Sequence, residues 1–468
     1  MIFFTILLAV SSKFHELTKK MFGYFAFDLN KKISFIFILI IASIIIIDST
    51  IVEFYSFSGL RTSSTVNVVI FIAFSIVFAF SSVLLVTCVK TITSKTTYKL
   101  PKNLRKFHYI IFGTQLITIS LISVTIFQII VFNKYHILLL QLVTFISHLS
   151  ALVFAIPLVF ILAKWFKSRK NYIILLYIIT FSLVSTNIVI SLTYYENIFL
   201  RSNASEIRPY RISSYVTAFY STPADESLST VYNVIFILSF LVIWIATMAM
   251  LNQYKYRLGK IRYYALTIIP LIYFIFPFHT YFANLLSPFV LDFPIAVSVI
   301  YTILFSASKQ VGAFLFSLSF LIASTVVPND SVKKSLLISC IGMTILFSSV
   351  EITPLQYKVS PPYGLITEAF IPLGAFLLLV GIFTSAVNVS QDGKLRRDFR
   401  KSAIAQLNLL RTIGIAQMEK ELVKNFKLVE KRSPNLETTQ DYSEENVKQI
   451  VHEVLEELKQ KDSGKRKT

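Results

Sequence analysis

Three acids and two histidines stand within or beside long apolar runs: Asp48, Asp292, Glu368, His148 and His279. An ionisable side chain at membrane depth is expensive, turns toward the protein interior, and commonly marks a ligand or proton site. His148 lies near the middle of its run, whereas Asp48 and Glu368 lie toward the outer ends of theirs, where water is expected to reach. Asp292 sits in "LSPFVLDFP", residues 286–294, with His279 upstream. These types and positions point to an outward-facing polar pocket lined by His279, Asp292, Glu351 and Glu368. His148 is a further ligand-contact candidate, with a neutral histidine bonded to a neighbouring helix as the alternative.

Nucleophilic, metal or phosphate chemistry has no matching pattern. The chain has no P-loop, HExxH, GxSxG or convincingly spaced pair of haem-type histidines. His452–Glu453 in "QIVHEVLEEL" has the histidine–acid order of a phospho-accepting site, but the proline usual a few residues on is absent and no ATP-binding domain follows. Cys88 and Cys340 fall in separate apolar segments and are expected as small buried hydrophobes. The sequence therefore predicts no catalytic residue, no metal and no cofactor, and it disfavours an enzyme.

The elements that position these groups are membrane spans. Of 468 residues, 55% are hydrophobic and 15% charged, where a soluble domain carries about 25% charged residues. Apolar runs of roughly 18 or more read as transmembrane helices. Such runs cover residues 33–52, 66–89, 109–132, 137–163, 172–194 and 231–251. Further apolar stretches follow at 263–287, 289–307, 311–327, 335–350 and 364–389. The domain plan is an N-terminal interfacial segment (1–31), six spans (32–252), a proline-rich second membrane part (253–389) and a helical tail (390–468). Phe14, Leu17, Met21 and Phe25 give the first segment its helical spacing, and Met21 is an alternative start.

Charge sets the topology. The formal net charge is +20, which raises nucleic acid as a partner. Residues 390–468 hold 17 Lys+Arg against 13 Asp+Glu, so most of the excess lies in short loops between spans. That distribution is the positive-inside pattern and excludes nucleic acid as the expected partner. Lys90, Lys95, Lys99, Lys102, Arg105 and Lys106 follow the second span. Lys164, Lys167, Arg169 and Lys170 follow the fourth, and Lys255, Arg257, Lys260 and Arg262 the sixth. Parity puts these loops on one side, the cytoplasm, with the N-terminus. Placing Lys333, Lys334 and the basic tail there too requires one stretch between 263 and 327 not to cross. A re-entrant segment hinged at "SASKQVG" (306–312) meets that need. Nine of the fourteen prolines lie between Pro270 and Pro372, and proline breaks or kinks helices. The expected fold is all-α: a polytopic bundle of about 10 crossings (range 10–12), both termini inside, with a cytoplasmic amphipathic tail.

In that tail Lys394, Arg396, Arg397, Arg400 and Lys401 follow the last span and are expected to touch anionic lipid, worth about 1 kcal/mol each near the surface. Phe399, Ala403, Leu407, Leu410, Gly414, Met418, Leu422, Phe426 and Val429 share one helical face. A second helix starts near Ser443, with Val447, Ile450, Val451, Val454, Leu455 and Leu458 on one side. These faces need a partner: the protein's own loops, a second copy in a homo-oligomer (a coiled coil is one form), or a cytoplasmic protein.

"PPYGLITEAF" (361–370), "KLRRDFRKSA" (394–403) and "LLRTIGIAQMEKEL" (409–422) resemble uncharacterised polytopic membrane proteins of ammonia-oxidising archaea. Members read closer to IGTAQMEQE where this chain has Ile415 and Lys420. The resemblance implies an archaeal plasma-membrane protein and brings no activity, fold or cofactor. Scarce buried charge and the run from the last span into the tail favour a membrane sensor or scaffold. A secondary transporter of a small solute is the alternative; 12 glycines without a GxxxG weigh against its close helix packing.

Overall fold

The structure is a computed structural model that describes residues 31–58, 64–95, 102–201, 207–209, 223–252, 255, 259–275, 296, 299–300, 308–327, 329–350, 361–391 and 413–418. Its long helices are α1 (Lys31–Ser58), α2 (Ser64–Lys95), α3 (Lys102–Phe132), α4 (Ile137–Ser168) and α5 (Tyr172–Arg201). They continue with α6 (Pro223–Asn252), α7 (Lys260–Ile275), α8 (Ser308–Val326), α9 (Asp330–Ser349) and α10 (Leu365–Gln391). Two short strands, β1 (Lys134–His136) and β2 (Ile207–Pro209), pair antiparallel with Tyr135 opposite Arg208.

The chain is a membrane protein of nearly all-helical fold. Seven helices among the described residues are long and apolar enough to cross a bilayer: α2, α3, α4, α5, α6, α9 and α10. Shorter apolar helices run through Ile38–Ile51, Tyr263–Phe274 and Phe316–Thr325, within α1, α7 and α8. The apolar stretch 263–287 begins as α7, and most of 276–307 lies outside the described residues. The expected hinge at 306–312 is not a break from Ser308 onward: those residues open α8, and Gly312 there lies against the Phe240 ring.

The outer helices are apolar on both faces, so their periodicity is carried by small and polar residues. On α4, Thr144, Ser147, His148, Ala151 and Ala155 point inward, whereas Phe145, Leu149, Val153, Ile156 and Phe160 are exposed. Lipid solvates Leu and Phe as well as a protein core does, so the inward face goes to groups needing hydrogen bonds or close packing.

At the centre stands α10. Its stretch Leu365–Ser390 is fully buried in protein, against 28% for the span in α3. Around it pack α1, α2, α3, α4 and α9, the last most extensively. A methyl at Gly342 would stand 2.7 Å from Leu378 N, and one at Gly374 2.7 Å from Leu346 N. One at Gly381 would strike Ser339. Thr384 donates to Ser335 Oγ at 3.0 Å along the same seam. Backbone thus lies on backbone between α9 and α10, close contact without a GxxxG.

Contacts also give direction. Thr144 meets Glu368 and Phe154 meets Phe376, so α4 runs parallel to α10. Gln115 meets Ala369 and His108 meets Phe376, so α3 runs antiparallel to it. Trp244 meets Thr267 and Phe240 stacks on Phe274, which sets α7 antiparallel to α6. Asn329 caps α9 by accepting from Ser331 N and Val332 N, which ends the short turn from α8.

At two of the three prolines inside described helices, a side chain of the next helix bonds the preceding turn. Pro270 and Pro372 each remove one helical N–H. Three residues before Pro270, Thr267 O accepts from Trp244 Nε1 at 2.7 Å. Three residues before Pro372, Ala369 O accepts from Gln115 Nε2 at 3.4 Å. Carbonyls in a turn loosened by proline are engaged by a side chain from the next helix.

Candidate functional site

The first turn of α10 gathers the buried acids. "PPYG" forms the turn before it, with Gly364 at φ 92°, a left-handed conformation that favours glycine. Tyr363 anchors the turn by donating to Asn67 O of α2 at 2.9 Å. A helix N-terminus inside a membrane bundle has N–H groups that water does not reach. Asp48 of α1 meets them. Its Oδ2 accepts from Thr367 N at 3.0 Å and from Thr367 Oγ1 at 2.7 Å. The carboxylate acts as an N-cap supplied from another helix, and the helix dipole favours negative charge there.

Glu368, the next residue, serves the neighbouring flank. Thr144 Oγ1 of α4 donates to Glu368 Oε2 at 2.7 Å. His148 Nδ1 lies 2.8 Å from Thr144 O. A carbonyl only accepts, so Nδ1 carries the proton in that contact. One more residue along, Ala369 O takes the amide of Gln115 from α3. Residues 367, 368 and 369 thus face α1, α4 and α3 in turn, as successive 100° steps require.

The two sequence candidates within the described residues, His148 and Glu368, are brought together through Thr144. His279, Asp292 and Glu351 lie outside the described residues, as do Lys394, Arg396, Arg397, Arg400 and Lys401. The expected water access at Asp48 and Glu368 is not met: their exposures are 0% and 1%. The reason is that α10 starts inside the bundle, so its first turn is walled by other helices. Residue types alone did not reveal Thr144, Gln115, Ser147 or Thr367. Their inward spacing on helices otherwise apolar all round is the signal that finds them.

Several buried oxygens here have no hydrogen-bond partner among the described residues: Asp48 Oδ1, Gln115 Oε1 and Ser147 Oγ. The arrangement can hold a polar or charged guest, or pass a proton along hydroxyl and imidazole. Among the described residues no group of three or more His, Cys, Asp or Glu side chains could hold a metal ion.

A second feature lies at the opposite end of α4 and α10. Residues 413–418, "IGIAQM", are helical and pack on the bundle, with Ile413, Ala416 and Gln417 buried. Trp165 Nε1, near the end of α4, donates to Gln417 Oε1 at 3.3 Å. A methyl at Gly414 would strike Val389 of α10.

No protein-family model, no curated protein and no solved structure matches the chain. The functional reading therefore rests on this geometry.

Proposed function

We propose that the chain is a multi-pass sensor or scaffold of the cell membrane. In this reading α10 couples a polar cluster near the outer face to a cytoplasmic tail. One observation carries it: α10, buried along its whole stretch Leu365–Ser390, begins at the Asp48–Glu368 cluster and ends where the tail docks. A rigid, fully packed element is what can transmit a shift between two sites, because packed cores move between discrete arrangements. The loop charges support N- and C-termini in the cytoplasm with about ten crossings, and the opposed directions of α3 against α10 and α7 against α6 agree with that alternation. The tail's remaining apolar face would take a cytoplasmic protein or a second copy.

The test is truncation after Val389 combined with crosslinking in membranes from Gln406 or Asn425. The full chain is expected to capture a discrete partner and the truncated chain to lose it; a full chain that captures nothing overturns the reading.

Transport of a small solute is a second reading. It is favoured by proline-loosened turns, at Pro270 and Pro372, lying beside buried polar side chains. Uptake that survives the truncation would support it.

A further inference from the structure

We propose that Lys255 and Tyr264, where α6 turns into α7, bind the phosphate of an anionic phospholipid whose chains lie along α7. The site stands apart from the acid cluster and needs no coupling through α10.

Local backbone builds the site. Gly259 N donates to Lys255 O at 3.0 Å, and Gly259 O accepts from Tyr263 N at 3.1 Å. Gly259 has φ 80°, the left-handed conformation with which glycine ends one helix so that the chain can reverse. The reversal sets Lys255 over the first turn of α7. Its ammonium lies 5.2 Å from the Tyr263 ring centre and 4.8 Å from that of Tyr264, and the two rings stand at 70° to each other. A cation over two aromatic rings is held by their quadrupoles. Lys255 Nζ also donates to Tyr264 Oη at 3.2 Å. An ammonium has three N–H groups and a phenol one O–H, so two ammonium protons and the Tyr264 hydroxyl proton remain for an acceptor outside the pair. Two such donors side by side fit neighbouring oxygens of one phosphate in a charge-assisted pairing.

Charge and apolar surface choose the ligand. Lys255, Arg257, Lys260 and Arg262 crowd one turn of sequence, and no Asp or Glu occurs between Glu226 and Asp292. Among the described residues no carboxylate pairs with Lys255 or Lys260. An anion is the complement. Ile261, Tyr264, Ile268 and Ile272 follow at steps of three and four and are all exposed, Ile261 to 85%. They form one stripe running from the charged turn along α7. Tyr264 belongs both to the stripe and to the donor pair, so the occupant carries an anionic head joined to an apolar chain. The level fits as well. Tyr177 Oη, early in α5, meets Met250 Sδ, late in α6, at 3.6 Å. The turn therefore lies at the bundle end where α4 gives way to α5 and Trp165 meets the tail. Loop charge favours the cytoplasm for that end, and the leaflet there carries the anionic lipid.

The experiment uses the full chain in micelles of a neutral detergent, with helix melting followed by circular dichroism. Phosphatidylglycerol, phosphatidylcholine and glycerol phosphate are added in separate series at constant ionic strength. Phosphatidylglycerol is expected to raise the melting midpoint and saturate, because a ligand of the folded state stabilises by mass action; the other two are expected to leave it flat. Tyr264→Phe keeps the charge and the ring but removes the hydroxyl, and should weaken apparent affinity about fivefold, as loss of one hydrogen bond does. Lys255→Ala should weaken it about tenfold or more, because it removes a charge-assisted contact. Lys260→Ala removes the same charge from the same turn and should cost no more than about fivefold, the general effect of one lysine near a charged surface. A flat response to phosphatidylglycerol, or an equal response to phosphatidylcholine, overturns the site. Unchanged affinity in Tyr264→Phe overturns it too, and so do equal losses in Lys255→Ala and Lys260→Ala, because general attraction to charge would then account for the binding. Saturation by glycerol phosphate at the same concentrations makes the occupant a soluble phosphate and overturns the lipid assignment. Should Lys255→Ala fail to fold, Tyr264→Phe decides alone.

Discussion

Asp48 meets α10 at Thr367, and Glu368 is the next residue of that helix, but the two acids do different work. Asp48 closes the helix start, so Asp48→Ala should lower stability by about 1 kcal/mol, the usual loss for a removed N-cap. Asp48→Asn keeps an acceptor and should fall between; a thermal midpoint in detergent micelles checks the order. Glu368 is held through Thr144. Thr144→Val removes that hydroxyl at nearly constant volume and should lose about 1–3 kcal/mol, while Thr144→Ser keeps the donor and should recover most of it. If Val and Ser variants melt together, the 2.7 Å contact contributes nothing. The acids and His148 were legible in the sequence because charge at membrane depth is rare. Thr144, Gln115 and Ser147 were not, since hydroxyls and amides are common on membrane helices and many bond their own preceding turn, as Thr118 and Thr125 do. Only packing decides which of them meet.

Helices and their approximate limits were readable from apolar runs, since α4 begins at Ile137 and α6 ends at Asn252 as hydropathy implies. Their ranking was not. By its long apolar run α10 looks like any lipid-facing span, yet it is the buried hub. The clue was split between two elements: Ser335, Ser339 and Gly342 on α9 face Gly374 and Gly381 on α10. A search for GxxxG within one helix misses a seam shared by two. Gly342→Ala places a methyl 2.7 Å from Leu378 N and should destabilise by about 1–3 kcal/mol, the cost of overpacking. Gly113→Ala, with nothing within 4 Å, should leave the midpoint unchanged or raise it. Equal effects at the two sites would mean that α9 and α10 do not pack backbone to backbone. The tail joint follows the same logic. Gly414→Val should push residues 413–418 off Val389, releasing Trp165 Nε1 from Gln417. With Trp244→Phe removing the other of the two tryptophans, Trp165 emission should shift red and match that of the chain truncated after Val389. A spectrum that matches the undisturbed chain instead would show that the joint tolerates the added bulk.

For the whole molecule, the bundle fixes which ends of helices lie together, and charge must say which end faces the cytoplasm. The cluster lies at the start of α10 and the tail joint at its end, so an inverted chain would put the cluster inside and the tail outside. Lysines and arginines favour the cytoplasm by a bias that acts on short loops, and the loops after α2, α4 and α6 carry them. Cysteine labelling can test this directly because Cys88 and Cys340 are both buried. A membrane-impermeant maleimide should therefore find little native background. Asn203→Cys, in the long connection before α6, is expected to react in intact cells. Lys99→Cys and Gln406→Cys are expected to react only in inverted vesicles. Labelling of Lys99→Cys from outside would reverse the bundle and put the acid cluster on the cytoplasmic side. Labelling of Gln406→Cys from outside with Lys99→Cys protected would instead make the number of crossings odd. The tail would then meet no cytoplasmic partner, and the coupling through α10 would have to end outside the cell.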